Sequence, residues 1–277
     1  MGRVTLGYLD LGLVHPDVAC SVAPLLRLEE MVRAAEDEGF ERYWLAEHYA
    51  TQAAWACPSV LLGALLRRTC SIRIGAGGLL LSVHNAVQVA CDYSALATLF
   101  PGRVELGLGR GMPEAPWDVS VPCVAEYSEA LGVLTAAFHH APPPYRRIPL
   151  AEETPHLWVL GSKTISARLA SDHHLPLALS LFHSPTSEPL TRGPRPQLVA
   201  VAGVVGTTVN EARKIVESTP SPFYPRACGD AEQVVTVLSA LADQHGATNV
   251  IFVDLSLDSA DRLRTLRLLG SAWRRSE

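Results

Sequence analysis

Long apolar runs are missing from the sequence of 277 residues. No stretch approaches the roughly 18 consecutive apolar residues that a helix needs to span a bilayer. Residues 1–4 lead directly into a strand pattern instead of a secretory leader, which predicts a cytoplasmic protein. Runs of one charge sign are missing as well, and the formal net charge is -5. We therefore expect neither a membrane nor nucleic acid as a partner.

Paired cysteines and the dinucleotide-type glycine pattern are also absent. The 6 cysteines are dispersed and include no CxxC pair, so we expect no disulfide framework, no zinc site and no other metal. Free, mostly buried thiols are the simpler interpretation. Glycines cluster at Gly75–Gly78 and again at Gly107, Gly109 and Gly111. Neither cluster has the GxGxxG spacing, which disfavours a nicotinamide dehydrogenase.

Apolar runs of strand length alternate along the chain with segments of helical period, a pattern typical of βα units around a parallel sheet. The candidate strands number eight, as in a barrel. They are Thr5–Gly12, Tyr43–His48, Ile72–Leu80, Val104–Arg110, Leu157–Gly161, Leu177–Phe182, Leu198–Gly206 and Asn249–Ser256. The chain length suits one such unit, so we predict a single (β/α)8 TIM-barrel domain over residues 1–277.

Prolines interrupt this pattern twice in the second half of the chain. Residues 184–196 contain four prolines, so this segment cannot form a proper crossover helix between the sixth and seventh strands. Residues 218–229 are again rich in proline. The sequence therefore predicts a barrel whose second half is trimmed.

Two ionisable residues close the second predicted strand, at the end where α/β enzymes place their chemistry. His48 can exchange protons near neutral pH, and the adjoining carboxylate of Glu47 could tune it. Neighbouring strand residues face opposite sides, however, so the two side chains need not touch. We name His48 and Glu47 as candidate catalytic residues, and a structural, hydrogen-bonded histidine is the alternative.

A candidate phosphate site lies where the fifth predicted strand meets its helix. Its residues are Gly161, Ser162, Lys163, Thr164 and Ser166. The first N–H groups of a helix attract phosphate, and the hydroxyl groups and the lysine would add donors and charge. Arg110 follows the glycine-rich fourth strand and would hold the same anion from the other side. A simple helix cap explains the serine and threonine residues about equally well.

A flat ring could lie against the third predicted strand. Gly77 and Gly78 interrupt this strand, where glycine weakens a sheet unless a bulge or a closely approaching ligand requires it. A purely geometric bulge is the alternative. Tyr49, His84 and His183 follow the second, third and sixth strands, and we predict that they line a substrate pocket. Solvated loop histidines are equally consistent with the pattern.

Two acidic residues lie inside apolar strands, Asp10 in the first and Glu105 in the fourth. An unpaired charge buried there would cost several kcal/mol. We therefore expect each carboxylate to have a buried structural partner.

Five segments, in this order, resemble the bacterial luciferase-like monooxygenases, which are flavin-dependent enzymes with a (β/α)8 barrel. They are Leu45–His48, Arg73–Gly78, Pro101–Gly111, Leu160–Ser162 and Asp261–Leu269. The resemblance covers nearly the whole chain. It implies a two-component enzyme, in which a separate reductase supplies reduced FMN and oxygen adds to give a 4a-peroxyflavin. That species would oxidise a small organic substrate, with secondary metabolism as the suggested setting and a homodimer as the expected assembly.

The resemblance also implies roles for individual residues. His48 matches the histidine that contributes to catalysis beside the flavin in the luciferase branch. The Gly77–Gly78 pair falls where family members form a non-proline cis peptide under the isoalloxazine ring. The flavin phosphate is held where this chain has Arg110, together with Ser162 and either Thr164 or Ser166.

The chain also departs from the family pattern. Tyr49 stands where relatives usually have a second histidine or an asparagine, and Ser82 stands where a proline is common. Residues 184–196 and 218–229 are short where relatives carry a helix and a long mobile lid, which excludes water from the reaction. Two alternatives therefore stand beside the FMN monooxygenase. One is a non-catalytic flavin-binding protein or partner subunit, and the other is a deazaflavin-dependent oxidoreductase.

Overall fold

Parallel strands alternate with helices in the computed structural model, which describes residues 3–15, 22–49, 52–111, 123–139, 153–183, 195–219 and 221–276. The strands are β1 (Thr5–Asp10), β2 (Arg42–Leu45), β3 (Arg73–Leu80), β4 (Val104–Gly109), β5 (His156–Gly161), β6 (Leu177–Ser180), β7 (Leu198–Val205), β8 (Ala227–Gly229) and β9 (Asn249–Asp254). The helices are α1 (Ala23–Asp37), α2 (Pro58–Arg67), α3 (Ala86–Leu99), α4 (Val124–His139), α5 (Thr164–Asp172), α6 (Val209–Ser218), α7 (Ala231–His245) and α8 (Ser259–Ser276).

Eight of these strands close into a barrel. Their neighbour order is β6-β5-β4-β3-β2-β1-β9-β7, and β6 also pairs with β7, which completes the ring. The pairings between them are parallel. The predicted (β/α)8 barrel is therefore confirmed, and each of the eight predicted strands is present with ends within about three residues of the predicted ones.

The short strand β8 is the element that the sequence analysis did not predict. Its three residues pair with Gly203–Val205 at the far end of β7. A side chain at Gly203 would collide with the backbone carbonyl of Ala227, so the glycine is what lets β8 approach. The strand occupies the end of the predicted break at 218–229. Residues 184–194, most of the other predicted break, lie outside the described residues.

Local capping chemistry determines where several helices begin and end. The Asp230 carboxylate accepts a hydrogen bond from the backbone N–H of Gln233 at the start of α7. The same helix ends at Gly246, whose φ of 64° is the left-handed conformation that glycine adopts at little cost. At α8, the Asp258 carboxylate accepts a bond of 2.7 Å from the N–H of Ala260.

The strands alternate between a face toward the barrel interior and a face toward the helices. The interior cluster includes Leu9, Trp44, Trp158, Leu198, Ala200, Ile251 and Val253. The outward cluster joins Tyr8, Tyr43, Ile74, Leu106 and Phe252 to apolar residues of the surrounding helices. The barrel therefore has a filled interior at this level, and a ligand has room only at its ends.

Both buried carboxylates have the partners that the sequence analysis expected. Glu105 is fully buried inside the barrel, where the Arg42 guanidinium binds it at 3.1 Å. Gly7 makes room for that arginine, because a side chain there would collide with the Arg42 stem. Asp10 points outward and pairs at 3.0 Å with Arg262 from α8, another fully enclosed pair. These contacts fix β1, β2, β4 and α8 relative to one another.

The five thiols of the described residues are free, but the expectation that they are mostly buried is wrong. Four are exposed and one is partly buried, namely Cys57, Cys70, Cys123 and Cys228 in the first group and Cys91 in the second. Cys20 lies outside the described residues. Within the described ranges, no helix combines the length and apolarity needed to cross a membrane.

A groove of about 410 Å³ lies on the outer helical layer, between α1 and α8. Its lining is Leu26, Glu29, Glu30, Arg33, Ala34, Asp37, Leu263 and Arg267. The groove therefore belongs to the sides of the barrel rather than to the carboxyl ends of its strands.

Candidate functional site at the carboxyl ends of the strands

The closed parallel barrel brings the predicted site residues to one end. His48 follows β2, Gly77 and Gly78 lie in β3, and Arg110 follows β4. The residues of the predicted phosphate site follow β5, and His183 follows β6. Because β2 to β6 are consecutive neighbours in the sheet, these residues leave it at adjacent points of the same mouth.

His48 is oriented by a backbone hydrogen bond. Its Nδ1 lies 2.9 Å from the carbonyl oxygen of Leu11, just beyond β1. A carbonyl oxygen only accepts, so Nδ1 must carry the proton, and in the neutral ring Nε2 keeps its lone pair. The side chain is half-buried, which leaves Nε2 as the ring nitrogen available to a ligand.

Glu47 turns away from His48, and its fully buried carboxylate joins three other groups. Its Oε2 accepts a hydrogen bond of 2.7 Å from the N–H of Leu80, at the end of β3. Its Oε1 accepts one of 2.7 Å from His84 Nε2 and a short one from the Tyr49 hydroxyl. Burial and this contact with Glu47 raise the pKa of Tyr49 well above its usual value, so the hydroxyl remains a donor.

This arrangement makes Glu47 the common partner of two other candidate residues, Tyr49 and His84. Glu47 ties the end of β2 to the end of β3, close to Gly77 and Gly78. Tyr49 and His84 direct polar atoms at that carboxylate. The geometry therefore places Glu47 in a supporting position rather than beside the imidazole of His48.

Gly77 and Gly78 form a strip of backbone with no room for side chains. A Cβ at Gly77 would collide with the indole of Trp44, which fills the barrel interior beneath it. A Cβ at Gly78 would meet the backbone nitrogen of Gly109 at 3.1 Å. The peptide bond between the two glycines is cis, as the resemblance implies. The need for glycine at Gly77 thus comes from Trp44, which the sequence analysis did not connect to it.

The predicted phosphate site lies at the start of α5. Lys163 is the N-cap residue in an extended conformation, and no side chain caps the helix. The backbone carbonyl of Lys163 accepts from the N–H of Ser166 at 2.9 Å. Gly161 is required by packing, because a side chain there would collide with the Ser166 hydroxymethyl group. The amides of the first turn are thus left without a side-chain acceptor.

Arg110 extends into solvent from the neighbouring strand end. The strands β4 and β5 are paired through Leu108 and Val159, so Arg110 and the start of α5 are adjacent. Nearby Tyr127 donates its hydroxyl proton to the Leu108 carbonyl at 3.0 Å, and its pKa is raised because it is buried. The positive charge of Arg110 opposes that rise. Of the described residues in this region, Arg110 and Lys163 supply positive charge.

An aromatic group on the other side of His48 was missed by the sequence analysis. The ring of Phe223 lies 6.4 Å from the His48 ring and nearly parallel to it. Phe223 also meets Phe182 edge-on at 5.2 Å and His183 at 5.5 Å. Burial lowers the pKa of His183, and the electrostatic interaction with the His48 ring lowers it further. The aromatic pair in the Pro-Phe-Tyr-Pro stretch at 222–225 was the available signal.

Comparison with known proteins identifies relatives for this arrangement. A family model described as luciferase-like monooxygenase matches residues 4–195. The uncharacterized protein YwcH of Bacillus subtilis (strain 168) is 28% identical, with 98% of this chain and 99% of the relative covered. The alignment runs over 331 positions, so YwcH carries residues that this shorter chain lacks. The N-acetyl-S-alkylcysteine monooxygenase of the same strain is 28% identical over 69% of this chain and 61% of its own length.

Solved structures give the same fold. The crystal structure of apo-MsnO8 has a TM-score of 0.82 and 26% identity, covering 98% of this chain and 99% of the other. The oxygenating constituent of 3,6-diketocamphane monooxygenase from Pseudomonas putida, in complex with FMN, has a TM-score of 0.74 and 15% identity, with 97% of each chain covered. An F420-dependent secondary alcohol dehydrogenase has a TM-score of 0.73 and 16% identity, with 98% of each covered. Proteins of this fold therefore include ones that bind FMN and ones that use F420.

Proposed function

The chain belongs to the luciferase-like monooxygenase family, and we propose that it is a monooxygenase that uses reduced FMN and oxygen to oxidise a small organic substrate. A separate flavin reductase would supply the cofactor. The observation that carries the proposal is the convergence of three features on one barrel mouth. These are the bare glycine strip on β3, the uncapped start of α5 beside Arg110, and the oriented imidazole of His48.

The residues at the mouth fit the phosphate end of FMN. Open amides at the start of α5 and the hydroxyl groups of Ser162, Thr164 and Ser166 supply hydrogen-bond donors for a dianion. Lys163 and Arg110 supply positive charge from two sides of it. Such a site distinguishes FMN from riboflavin, which has no phosphate.

The residues also fit the ring end. At Gly109 a side chain would make only ordinary van der Waals contacts, the nearest at 3.8 Å, so the end of β4 is not tightly packed. At Gly77, Gly78 and Gly107, by contrast, a Cβ would come within 3.1 Å of neighbouring atoms, so the packing there favours glycine. A planar ring at the mouth would lie on this backbone, bordered by the side chains of Trp44 and Leu160. Reduced FMN, when bound, supplies the two electrons that activate oxygen, so that one oxygen atom enters the substrate and the other leaves as water.

In this proposal the protein's own residues bind, orient and move protons. His48 Nδ1 is held by the Leu11 carbonyl, so Nε2 can accept or return a proton at the mouth. Glu47 holds the end of β3 through the Leu80 amide and thereby positions the glycine strip. Phe182 and Phe223 cover the side of the mouth next to His48 and exclude water there.

A flavin-binding protein without oxygenase activity is the second candidate. The length difference from YwcH favours it, because a shorter chain has less material to shield a reactive centre from water. The two candidates share the phosphate and ring sites and differ in what His48 does.

The cofactor test compares FMN, riboflavin and the deazaflavin F420 by fluorescence titration of the purified chain. We expect FMN to bind at least tenfold more tightly than riboflavin, since about 1.4 kcal/mol corresponds to tenfold and one charge-assisted bond contributes about that much. Arg110→Ala should weaken FMN binding about tenfold and leave riboflavin binding unchanged. Arg168→Ala is the matched control. This arginine lies on α5, the helix whose start forms the phosphate site, and its side chain is 77% exposed.

Equal binding of FMN and riboflavin would contradict the phosphate site, and tight binding of F420 alone would contradict the choice of cofactor. A second measurement separates the oxygenase from the flavin-binding protein. The reduced complex is mixed with aerated buffer, and hydrogen peroxide release is followed over time. Delayed release that becomes fast in His48→Ala supports the oxygenase. Immediate release that is the same in both proteins supports the binding protein.

The remaining parts of the proposal concern assembly and context. We propose that residues 1–277 act as one barrel domain and that two copies form a homodimer, which light scattering can test against a monomer. Action in the cytoplasm and a place in secondary metabolism are proposed with them.

A further inference from the structure

One wall of the barrel mouth consists of aromatic rings from two separate segments. Phe182 and His183 follow β6, with ring centroids 4.4 Å apart. Phe223 comes from the segment after α6 and packs edge-on against both. We call Phe182, His183 and Phe223 the aromatic wall.

Hydrogen bonds to main-chain carbonyl groups hold the two segments together. The N–H of Tyr224 donates to the carbonyl of Phe182 at 2.9 Å. The Arg226 guanidinium donates to the carbonyl of Leu181 at 2.7 Å. Both bonds tie the residues that follow Phe223 to the segment at the end of β6, so the wall is in place before a ligand arrives.

The wall is uncharged but has a hydrogen-bonding group. It includes no carboxylate, lysine or arginine, and Arg226 in the adjoining segment is bound to the Leu181 carbonyl. Burial lowers the pKa of His183, and the neighbouring His48 imidazole acts in the same direction, which favours the neutral ring with one N–H and one lone pair. The His183 side chain is exposed, so its ring nitrogens are within reach of a ligand.

We propose that the aromatic wall binds the substrate, and that it selects an uncharged, planar, unsaturated compound with a hydroxyl group that hydrogen-bonds to His183. The inference rests on the proposed function, because it places this compound between the wall and the cofactor, beside His48. Offset and edge-on ring contacts favour a flat unsaturated ligand over a flexible alkyl chain. An anionic ligand would lose its hydration without gaining a counter-charge from the wall.

The test uses three naphthalene probes that differ in one substituent. Binding of 2-naphthol, naphthalene and 2-naphthalenesulfonate to the full chain is measured by probe fluorescence, with and without FMN. We expect 2-naphthol to bind about tenfold more tightly than naphthalene, and the sulfonate to bind more weakly than either. The first difference corresponds to about 1.4 kcal/mol.

Two variants assign the preference to the wall. Phe223→Leu keeps an apolar side chain but removes the ring, and it should weaken all probes about fivefold to tenfold. His183→Phe keeps a ring but removes the nitrogens, so 2-naphthol and naphthalene should then bind equally. Tyr224→Leu is the matched control, since this neighbouring aromatic side chain is 45% exposed and should leave binding unchanged. Circular dichroism and thermal unfolding verify that each variant is folded.

The inference is overturned if the sulfonate binds as tightly as 2-naphthol, or if folded Phe223→Leu binds the probes as the parent does. Its failure can be distinguished from failure of the proposed function. If FMN binds and the probes show no preference, the wall is not the substrate site. If the probes show the expected preference and FMN does not bind, the aromatic wall remains the proposed substrate site and the flavoenzyme proposal fails.

Discussion

Replacing Glu47 by glutamine tests whether this residue supports the site or takes part in its chemistry. The carboxylate accepts three hydrogen bonds, two at Oε1 and one at Oε2. An amide nitrogen cannot accept, so glutamine must present a donor either to the Leu80 N–H or to the pair formed by Tyr49 and His84. At least one buried donor is then left without an acceptor.

The magnitude follows from those contacts. A hydrogen bond to a charged group contributes about 1.5–3 kcal/mol, and a buried donor left unpaired costs about 1–3 kcal/mol. Removing a buried charge recovers part of this loss. We therefore expect Glu47→Gln to lower the free energy of unfolding by about 2–4 kcal/mol. We also expect weaker FMN binding, because Leu80 lies two residues beyond the Gly77–Gly78 strip.

The assay is urea unfolding at neutral pH followed by circular dichroism, together with FMN titration at a urea concentration of zero. Glu41→Gln is the control, because this carboxylate pairs with Arg73 at the surface and is 54% exposed. Its loss should change stability by no more than about 0.5 kcal/mol. Equal stability of the two variants would refute the supporting role. If Glu47→Gln abolishes turnover while stability and FMN binding stay unchanged, Glu47 is catalytic.

Two further substitutions test the barrel itself. Arg262→Met leaves the buried Asp10 carboxylate without its cationic partner and should lower the free energy of unfolding in urea by about 3–5 kcal/mol. Its control is Arg264→Met, which removes a partly exposed ion pair with Asp261 and should lower that free energy by about 1 kcal/mol or less. Gly77→Ala forces a methyl group into the Trp44 indole, so it should lower the free energy of unfolding by about 1–3 kcal/mol and weaken FMN binding. Its control is Gly63→Ala, where the new methyl group meets only ordinary contacts inside a helix and should raise the free energy of unfolding by about 0.5–1 kcal/mol. Equal effects within either pair would contradict the packing described.

The barrel could be predicted from sequence because its signal is local and repeated. Each strand is an apolar run, and each helix has its own period, so eight strands could be counted without knowing their partners. The strand β8 was not predicted, because its three residues lie beside prolines and show no strand-like period in the sequence. Its existence depends on contact with β7 near Gly203, which is a property of the assembled sheet.

The site was less predictable because its geometry depends on contacts between distant segments. Alternation along β2 indicated that Glu47 and His48 face apart, but not that Glu47 meets His84, which is 37 residues away. In the same way, Asp10 was expected to have a partner, yet that partner is Arg262, separated from it by 252 residues. Phe223 lies in a segment whose prolines suggested only a break.

The pairing of β1 with β9 has a consequence for synthesis. These two strands are joined along their whole length, although β1 is the first and β9 the last of the described strands in chain order. A nascent chain without residues 249–254 has an open edge at β1 and another at β7, and unpaired apolar edges promote aggregation. Ring closure must therefore wait until residues 249–254 have been synthesised, and slower elongation before that point should not by itself increase the yield of folded protein.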